Sequence, residues 1–392
     1  MSQMLLDVRL GLHAMRHPIL GMVAGGLLCL TLSQSWAQGS AAGPAADCDS
    51  LAASPYDPLV SAGKGVAFEK IDATTAVAAC ESALEFAPDD AKLRFQLARA
   101  LDAAGRADEA IAAYKKAIDE GSVLALSAMG SLYDGGYGVE VDPAKAAEFY
   151  QRAADAGLPL AMNNLGSLYE EGRGVAQDYA KAAALYKQAA DAGSAFGAGA
   201  LGFLTEKGLG VAQDDVEAVR LYRIGAEGGE AFAQRNMGVM FTEGRGGLEK
   251  SPEEAFRYYK QSADQHYAPS YLNLALSYKN GLGTTADAAA AETYLRLAIA
   301  EGDAAMQSDA QNDLAWLFAT GNRNLEEAEV LARAAVSADP EKAHKLDTLA
   351  WVLHLAGKSA AALPLAEKAV SLDGSNAEYA DHLAMILAGV PD

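Results

Sequence analysis

Residues 158–193 read LPLAMNNLGSLYEEGRGVAQDYAKAAALYKQAADAG, and close copies of this stretch stand on both sides of it. A glycine recurs every 36 residues, as Gly130, Gly166, Gly202 and Gly238. A tyrosine recurs at the same interval, as Tyr150, Tyr186 and Tyr222. A fixed period of this size is typical of stacked helical repeats, each of which buries its apolar face only against its neighbours. The sequence therefore predicts one quasi-linear helical array.

Glycines mark the turns of this array. Pairs separated by one residue follow the first helix of each repeat, at Gly136 and Gly138, Gly172 and Gly174, Gly208 and Gly210, Gly244 and Gly246, and Gly281 and Gly283. The first glycine of a pair can adopt the left-handed conformation that ends a helix. Another glycine closes each unit, as Gly157, Gly193, Gly229 and Gly302, with His266 in its place once. We interpret these glycines as turns, because a phosphate-binding glycine loop would follow a strand.

Aspartates predict the starts of the second helices. They are Asp142, Asp178 and Asp214. An aspartate at this position accepts hydrogen bonds from the free amides of the first helical turn.

The charge of the chain excludes one class of partner. It has 52 acidic against 31 basic residues, a net charge of −21. Binding to the nucleic-acid backbone requires clustered basic side chains that displace counterions, and the sequence has no such cluster. We therefore expect no nucleic-acid partner. The acidic excess is interpreted as keeping an elongated surface soluble, with attraction of a specific basic partner as the alternative.

Residues 1–37 have the organisation of a cleavable signal peptide. Arg16 and His17 precede an apolar run over 19–32, and Ser35-Trp36-Ala37 supplies small residues for a cut before Gln38. The run is shorter than the roughly 20 residues that cross a bilayer as a helix. We therefore expect cleavage, no stable membrane insertion and a periplasmic or secreted product. Residues 1–14 do not resemble the start of a signal peptide, so Met15 is an alternative start to Met1.

The cysteines predict one disulfide. Cleavage would remove Cys29 and leave Cys48 and Cys80 in a compartment that permits oxidation. A bridge closing a loop of about 30 residues would stabilise the fold by roughly 3 to 4 kcal/mol. A metal site or a catalytic thiol is less favoured, since histidine or acidic ligands at suitable spacing are missing. Asp72 predicts the cap of a helix that carries Cys80, so the bridge would fasten the entry segment over the first repeat.

The repeated pattern A-x-x-x-L-G-x-x-Y-x-x-G-x-G-V-x-x-D-x-x-K-A-x-x-x-Y-x-x-A-A-x-x-G resembles the Sel1-like repeat, a relative of the tetratricopeptide repeat with a longer loop between its helices. Five such repeats cover residues 122–302. Residues 89–121 and 303–374 have shorter spacings that resemble one and two tetratricopeptide units. Residues 38–88 form a disulfide-stapled N-terminal segment with one helix, and residues 375–392 a capping helix. The resemblance implies an all-α fold, an α-solenoid of eight helix pairs wound as a right-handed superhelix.

Pro364 sets one helix boundary in this prediction. Its ring is tolerated only in the first turn of a helix, so we expect the helix to start near Ala361 or Ala362.

The inventory of chemical motifs predicts no enzyme. The sequence has no G-x-S-x-G elbow, H-E-x-x-H motif or phosphate-binding loop, and we expect neither a metal nor a cofactor. Glu170 and Glu171 are interpreted as the solvated end of a first helix, and His382 as a surface residue. The alternative is a cell-wall or β-lactam-related hydrolase or binding protein of the cysteine-rich Sel1-like type. This chain lacks the repeated cysteine pair of that subgroup.

The resemblance implies that the first helix of each pair lines a concave groove that binds a protein or peptide. Two positions per repeat face that groove, two residues before and one residue after the small residue at which the helices cross. The candidate binding residues are Gln96, Arg99, Asn164, Ser167, Phe203, Asn236, Asn273, Trp316 and Trp351. The alternative is that the asparagines bond neighbouring helices and the tryptophans only pack. Core positions are expected for Tyr133, Tyr169, Tyr186 and Tyr222. The predicted function is an exported adaptor, with regulation of envelope signalling or assembly as a subcase.

Overall fold

The computed structural model describes residues 43–57 and 65–390, and the predicted signal peptide lies outside this part of the chain. Every regular element within it is helical: 19 α-helices and a short 3₁₀ helix at Phe68–Lys70. The α-helices are α1 (Pro44–Ala52), α2 (Ala73–Phe86), α3 (Ala91–Ala103), α4 (Ala107–Asp119), α5 (Val123–Gly135), α6 (Pro143–Asp155), α7 (Pro159–Glu171), α8 (Tyr179–Asp191), α9 (Ala195–Lys207), α10 (Asp215–Glu227), α11 (Ala231–Glu243), α12 (Pro252–Ala263), α13 (Pro269–Asn280), α14 (Ala288–Glu301), α15 (Ala304–Thr320), α16 (Leu325–Ala338), α17 (Ala343–Leu355), α18 (Ser359–Leu372) and α19 (Ala377–Ala388).

The helices form an all-α solenoid, as the repeat pattern predicts. The chain divides into two compact units, one ending at Gln213 and containing α1–α9, the other beginning at Asp214 and containing α10–α19. Within each unit, every helix packs against the next one along the chain. None of the described helices has the length and apolar composition needed to cross a membrane.

A tyrosine packed on a glycine joins the two helices of a repeat. A Cβ atom at Gly130 would lie 2.6 Å from the ring of Tyr150, and one at Gly166 would lie 2.7 Å from the ring of Tyr186. Both rings are almost completely buried. A small residue on the first helix thus receives a large one from the second, which explains why both recur with the same period.

Tyr133 and Tyr169 differ from the expected core positions, because both are half-buried. Each ring carries a lysine ammonium 4.9 Å from its centroid, from Lys145 and Lys181 respectively. In each case the ammonium forms a cation–π contact with the ring of the half-buried tyrosine. Tyr186 and Tyr222 are buried core residues.

The two glycines of each loop have different tasks. Gly172 ends α7 in the left-handed conformation, with φ of 68°. Gly174 also has φ of 68°, and a Cβ atom on it would lie 2.2 Å from the carbonyl carbon of Pro143. The loop of one repeat therefore rests on the start of the second helix of the preceding repeat. Asp178 then caps α8 by accepting a hydrogen bond from the Lys181 amide at 3.0 Å, as predicted.

The turns that close the repeats follow the prediction with one exception. Gly157 has φ of 87°, and His266 adopts a left-handed φ of 60° in place of a glycine. Gly302 has φ of −75° and ψ of 163°, which is an extended conformation open to any residue. Gly302 therefore closes its unit without the left-handed conformation of the other closing glycines.

Pro364 lies inside α18, which begins at Ser359, earlier than the expected start near Ala361 or Ala362. The ring removes the hydrogen bond to the carbonyl four residues earlier, at Ala360. Pro364 and Ala360 are both exposed, so water can satisfy the freed carbonyl.

The N-terminal segment contains two α-helices, α1 and α2, where one helix was predicted, and the predicted disulfide joins them. Cys48 on α1 is bonded to Cys80 on α2, and both cysteines are buried. Helix α1 packs against α2 and α3, where its apolar residues join the core around Tyr114.

Candidate functional site

The candidate binding residues lie on one side of the first helices α3, α7, α9, α11, α13, α15 and α17. We call this side the first-helix face, and define it by the positions three and two residues before, and one and four residues after, the crossing residue. Positions three to four residues apart share a face of an α-helix, so each helix contributes several side chains to it. The two units are described separately.

In the first unit, Gln96 and Arg99 lie beneath the chain's own N-terminal segment. The Gln96 amide donates to Asp49 Oδ1 at 2.7 Å, and the Arg99 guanidinium donates to the carbonyl oxygens of Ala52 at 2.6 Å and Val66 at 2.8 Å. The two side chains are 0% and 2% exposed, and burial lowers the pKa of Arg99. The structure thus assigns both to an intramolecular contact, which corrects the expectation that they face a partner.

On α7, Asn164 is half-buried and Ser167 is buried. The Ser167 hydroxyl donates to the carbonyl of Asn163 at 3.1 Å and lies 3.1 Å from the Tyr186 hydroxyl. Ser167 thus joins the two helices of its own repeat. Asn163, which sequence reasoning missed, donates from Nδ2 to the Ser194 hydroxyl at 2.8 Å. The doublet Asn163-Asn164 was the available signal, but spacing alone does not decide which of the two bonds the next repeat.

Glu170 is buried, which corrects its interpretation as the solvated end of a helix. The Tyr186 hydroxyl donates to Glu170 Oε2 at 2.8 Å. Burial raises the pKa of the Glu170 carboxyl, and burial raises the pKa of the Tyr186 hydroxyl well above its ordinary value. Glu171, in contrast, is half-buried and pairs with Arg173 at 2.5 Å.

Phe203 on α9 is half-buried. The Lys207 ammonium lies 6.0 Å from the Phe203 ring centroid and pairs with Glu206 at 2.7 Å. Phe203 is therefore covered in part by a charged side chain of its own helix.

In the second unit, Arg235 brings two predicted asparagines together. Its Nη1 donates to Asn236 Oδ1 at 3.0 Å on α11, and its Nε donates to Asn273 Oδ1 at 3.4 Å on α13. Asn273 is half-buried, whereas Asn236 is buried and its Nδ2 has no hydrogen-bond partner among the described residues. Sequence reasoning missed Arg235, although it directly precedes the predicted Asn236.

An aromatic cluster lies further along the same unit. The His382 ring on α19 stacks on Trp351 with centroids 4.3 Å apart, and its centroid lies 5.7 Å from that of Trp316. The His382 Nδ1 atom is 2.9 Å from Asp347 Oδ2 on α17. His382 is buried, which corrects its interpretation as a surface residue. The two tryptophans remain half-buried, and the structure joins them through a histidine that the sequence did not place there.

Leu276 adds an apolar side chain to this face. It lies on α13, three residues after Asn273, and is 45% exposed. Within residues 43–57 and 65–390, no three histidine, cysteine, aspartate or glutamate side chains are grouped closely enough to hold a metal ion.

Comparison with known proteins agrees with this architecture. The model of the Sel1 repeat matches residues 123–158, 159–194, 196–230, 231–267, 268–303 and 308–346. A tetratricopeptide repeat model matches residues 67–122. The sixth Sel1 match falls where the spacing predicts a tetratricopeptide unit. No curated protein matches the chain closely enough to count as a relative.

Two solved structures share the fold. One is c5321, a protective antigen of uropathogenic Escherichia coli, with a TM-score of 0.62 and 24% identity over 82% of this chain and 70% of that one. The other is a Sel1 repeat protein from Oxalobacter formigenes, with a TM-score of 0.55 and 27% identity over 62% of this chain and 96% of that one. Because the Sel1 repeat model matches more than half of its residues, this chain belongs to the Sel1 repeat family.

Proposed function

We propose that this protein is an exported adaptor that binds a segment of another protein through the first-helix face of residues 214–390. Repeat proteins of this kind bind proteins. An adaptor binds its partner without changing it chemically. Apolar, amide and charged side chains, such as those of this face, are sufficient for such binding.

One observation carries the proposal: the first-helix face of the second unit leaves apolar side chains accessible beside hydrogen-bonding groups. Leu276 is exposed, Trp316 and Trp351 are half-buried, and Asn273 lies on the same helix as Leu276. Partly exposed aromatic and aliphatic side chains next to polar ones are typical of protein-binding surfaces. The first unit supports the proposal less, since its own N-terminal segment covers Gln96 and Arg99.

Export is supported by the signal-peptide pattern of residues 1–37 together with the Cys48–Cys80 disulfide, which forms in oxidising compartments. An envelope location would make a regulator or an assembly factor of the envelope the natural role. The measurement is the intact mass of the protein from the periplasmic fraction. We expect a chain beginning at Gln38 with two hydrogens fewer than its reduced form. A chain that keeps residues 1–37 in the cytoplasmic fraction would contradict export.

Affinity capture from an envelope extract tests the binding proposal. Leu276→Asp places a charge on the first-helix face, and the matched control Val330→Asp places the same charge on α16, where Val330 is 68% exposed. We expect a partner that the native protein and the Val330 variant both capture and that the Leu276 variant loses. Equal capture by all three proteins would place the binding surface elsewhere.

The hydrolase alternative has a separate readout. The Sel1 and tetratricopeptide fold is typical of non-catalytic scaffolds. Covalent labelling of a serine by a β-lactam probe, followed by the mass of the labelled peptide, would establish the enzyme in place of the adaptor.

A further inference from the structure

Arg235 differs from the other arginines of the second unit. Residues 214–390 contain eight arginines. Six of them pair with a carboxylate at 2.5 to 2.9 Å, namely Arg220, Arg245, Arg257, Arg296, Arg323 and Arg333. Arg223 and Arg235 form no ion pair with a described residue. Arg223 is exposed on α10, where water solvates its charge, whereas Arg235 is half-buried.

The surroundings of Arg235 orient its charge without neutralising it. Two amide oxygens, from Asn236 and Asn273, accept hydrogen bonds from Nη1 and Nε. These bonds fix the plane of the guanidinium and leave other N–H groups free, since arginine carries five. A partly buried charge that has only neutral acceptors is less stable than one paired with a carboxylate.

The neighbouring Asn236 adds a donor that lacks a partner. Asn236 Nδ2 is buried and makes no hydrogen bond within the described chain, while its Oδ1 is already occupied by Arg235. Lys279, on the same helix as Asn273, is half-buried and interacts electrostatically with the Asp313 carboxyl, so it is not such a donor. A ligand that pairs with the Arg235 guanidinium and the Asn236 amide must be a negatively charged hydrogen-bond acceptor. The N–H groups of a guanidinium match the two oxygens of a carboxylate.

We propose that Arg235, assisted by Asn236, binds a carboxylate of the partner segment, and that the exposed Leu276 receives an apolar side chain close to that carboxylate. The inference rests on the proposed function and names the chemistry of its partner: an acidic segment with an adjoining apolar residue. The carboxylate comes either from a chain's C-terminus or from an aspartate or glutamate side chain. The local donors thus select an acidic ligand despite the net charge of −21.

The test uses three pools of fluorescein-labelled decapeptides in fluorescence polarisation. The first pool has a free C-terminal carboxylate and one fixed glutamine, the second an amidated C-terminus and a fixed glutamate, and the third an amidated C-terminus and a fixed glutamine. All other positions hold a random mixture of leucine, alanine and serine. The proteins are the native chain, Arg235→Gln, and the control Arg223→Gln, which removes an equal charge from α10.

We expect the first or the second pool to bind the native protein and the Arg223 variant at least about tenfold more tightly than the third, and Arg235→Gln to abolish that difference. The pool that wins identifies the source of the carboxylate. Circular dichroism melting verifies that each variant is folded. Equal binding of the three pools, no binding by any of them, or a preference that survives Arg235→Gln would overturn the inference.

Failure here and failure of the adaptor proposal are distinguishable. If the envelope partner is still captured by Arg235→Gln but lost by Leu276→Asp, the face binds a partner through apolar contacts and the carboxylate assignment is wrong.

Discussion

Replacing Gly174 by alanine tests how neighbouring repeats are joined. In the native structure the loop that contains Gly174 rests on the start of α6 in the preceding repeat, with no room for a side chain. A Cβ atom at this position would lie 2.2 Å from Pro143 C and 2.4 Å from Ala144 N. Both contacts are with backbone atoms, so the loop and α6 must separate to admit a methyl group.

The expected loss has two parts. Gly174 has φ of 68°, and a left-handed conformation costs an L-residue about 1 to 2 kcal/mol. Inserting a methyl group where the packing is full costs about another 1 to 3 kcal/mol. Gly174→Ala should therefore lower the free energy of unfolding by about 2 to 5 kcal/mol. Gly157 is the matched control, since its φ is 87° but nothing lies within 4 Å of a Cβ there. Gly157→Ala should cost only about 1 to 2 kcal/mol.

Urea unfolding followed by far-UV circular dichroism measures both variants. We expect the midpoint of Gly174→Ala to fall clearly below that of Gly157→Ala, with the native protein above both. Equal midpoints for the two variants would show that the loop does not pack on the preceding repeat, and would refute this account of how the repeats are joined.

Three further perturbations follow from the same contacts. Changing both Cys48 and Cys80 to serine opens a loop with a sequence separation of 32 residues and should lower the free energy of unfolding, measured in urea, by about 3 to 4 kcal/mol. An unchanged urea midpoint would mean that the bridge does not stabilise the fold. Burial raises the pKa of Glu170, so above the ordinary value of 4.5 the folded state keeps a proton that the unfolded state loses. Raising the pH from 4.5 should therefore destabilise the native protein relative to Glu170→Gln. A pH-independent difference between the urea midpoints of the two proteins would disprove the pKa shift. Arg99→Ala removes the donor to the Ala52 and Val66 carbonyl oxygens. It should accelerate hydrogen exchange of the Val66 amide, which donates to the Ala53 carbonyl at 2.8 Å. Unchanged exchange would mean that Arg99 does not hold the N-terminal segment in place.

The periodic features of the fold could be predicted from the sequence, because the same local requirement is repeated in each unit. The crossing glycines, the left-handed turns and the aspartate caps each depend on residues a few positions apart. Gly302 and Pro364 show the limit of such local rules. Gly302 closes its unit but does not adopt the left-handed conformation of the other closing glycines. Pro364 is tolerated inside α18 because the Ala360 carbonyl, which loses its helical hydrogen bond, lies on an exposed side of the helix.

The candidate site was harder to predict, since it depends on which side chains of different helices meet. Spacing identified Asn236 and Asn273, but it could not show that Arg235 bonds both of them. It identified Trp316 and Trp351 but not the His382 ring that contacts both of them, because that ring comes from a helix outside the repeated pattern. It also placed Gln96 and Arg99 on the first-helix face, but could not foresee that the N-terminal segment covers them.

The central claim is that a partner binds the first-helix face of the second unit. The most direct measurement replaces Leu276 with a photo-cross-linking amino acid in the full-length protein, irradiates living cells, and compares the products with those from the same residue at Val330 on α16. We expect one discrete cross-linked species from position 276 that is missing from position 330. Identical cross-linking patterns at the two positions, or a discrete species from position 330 alone, would contradict it.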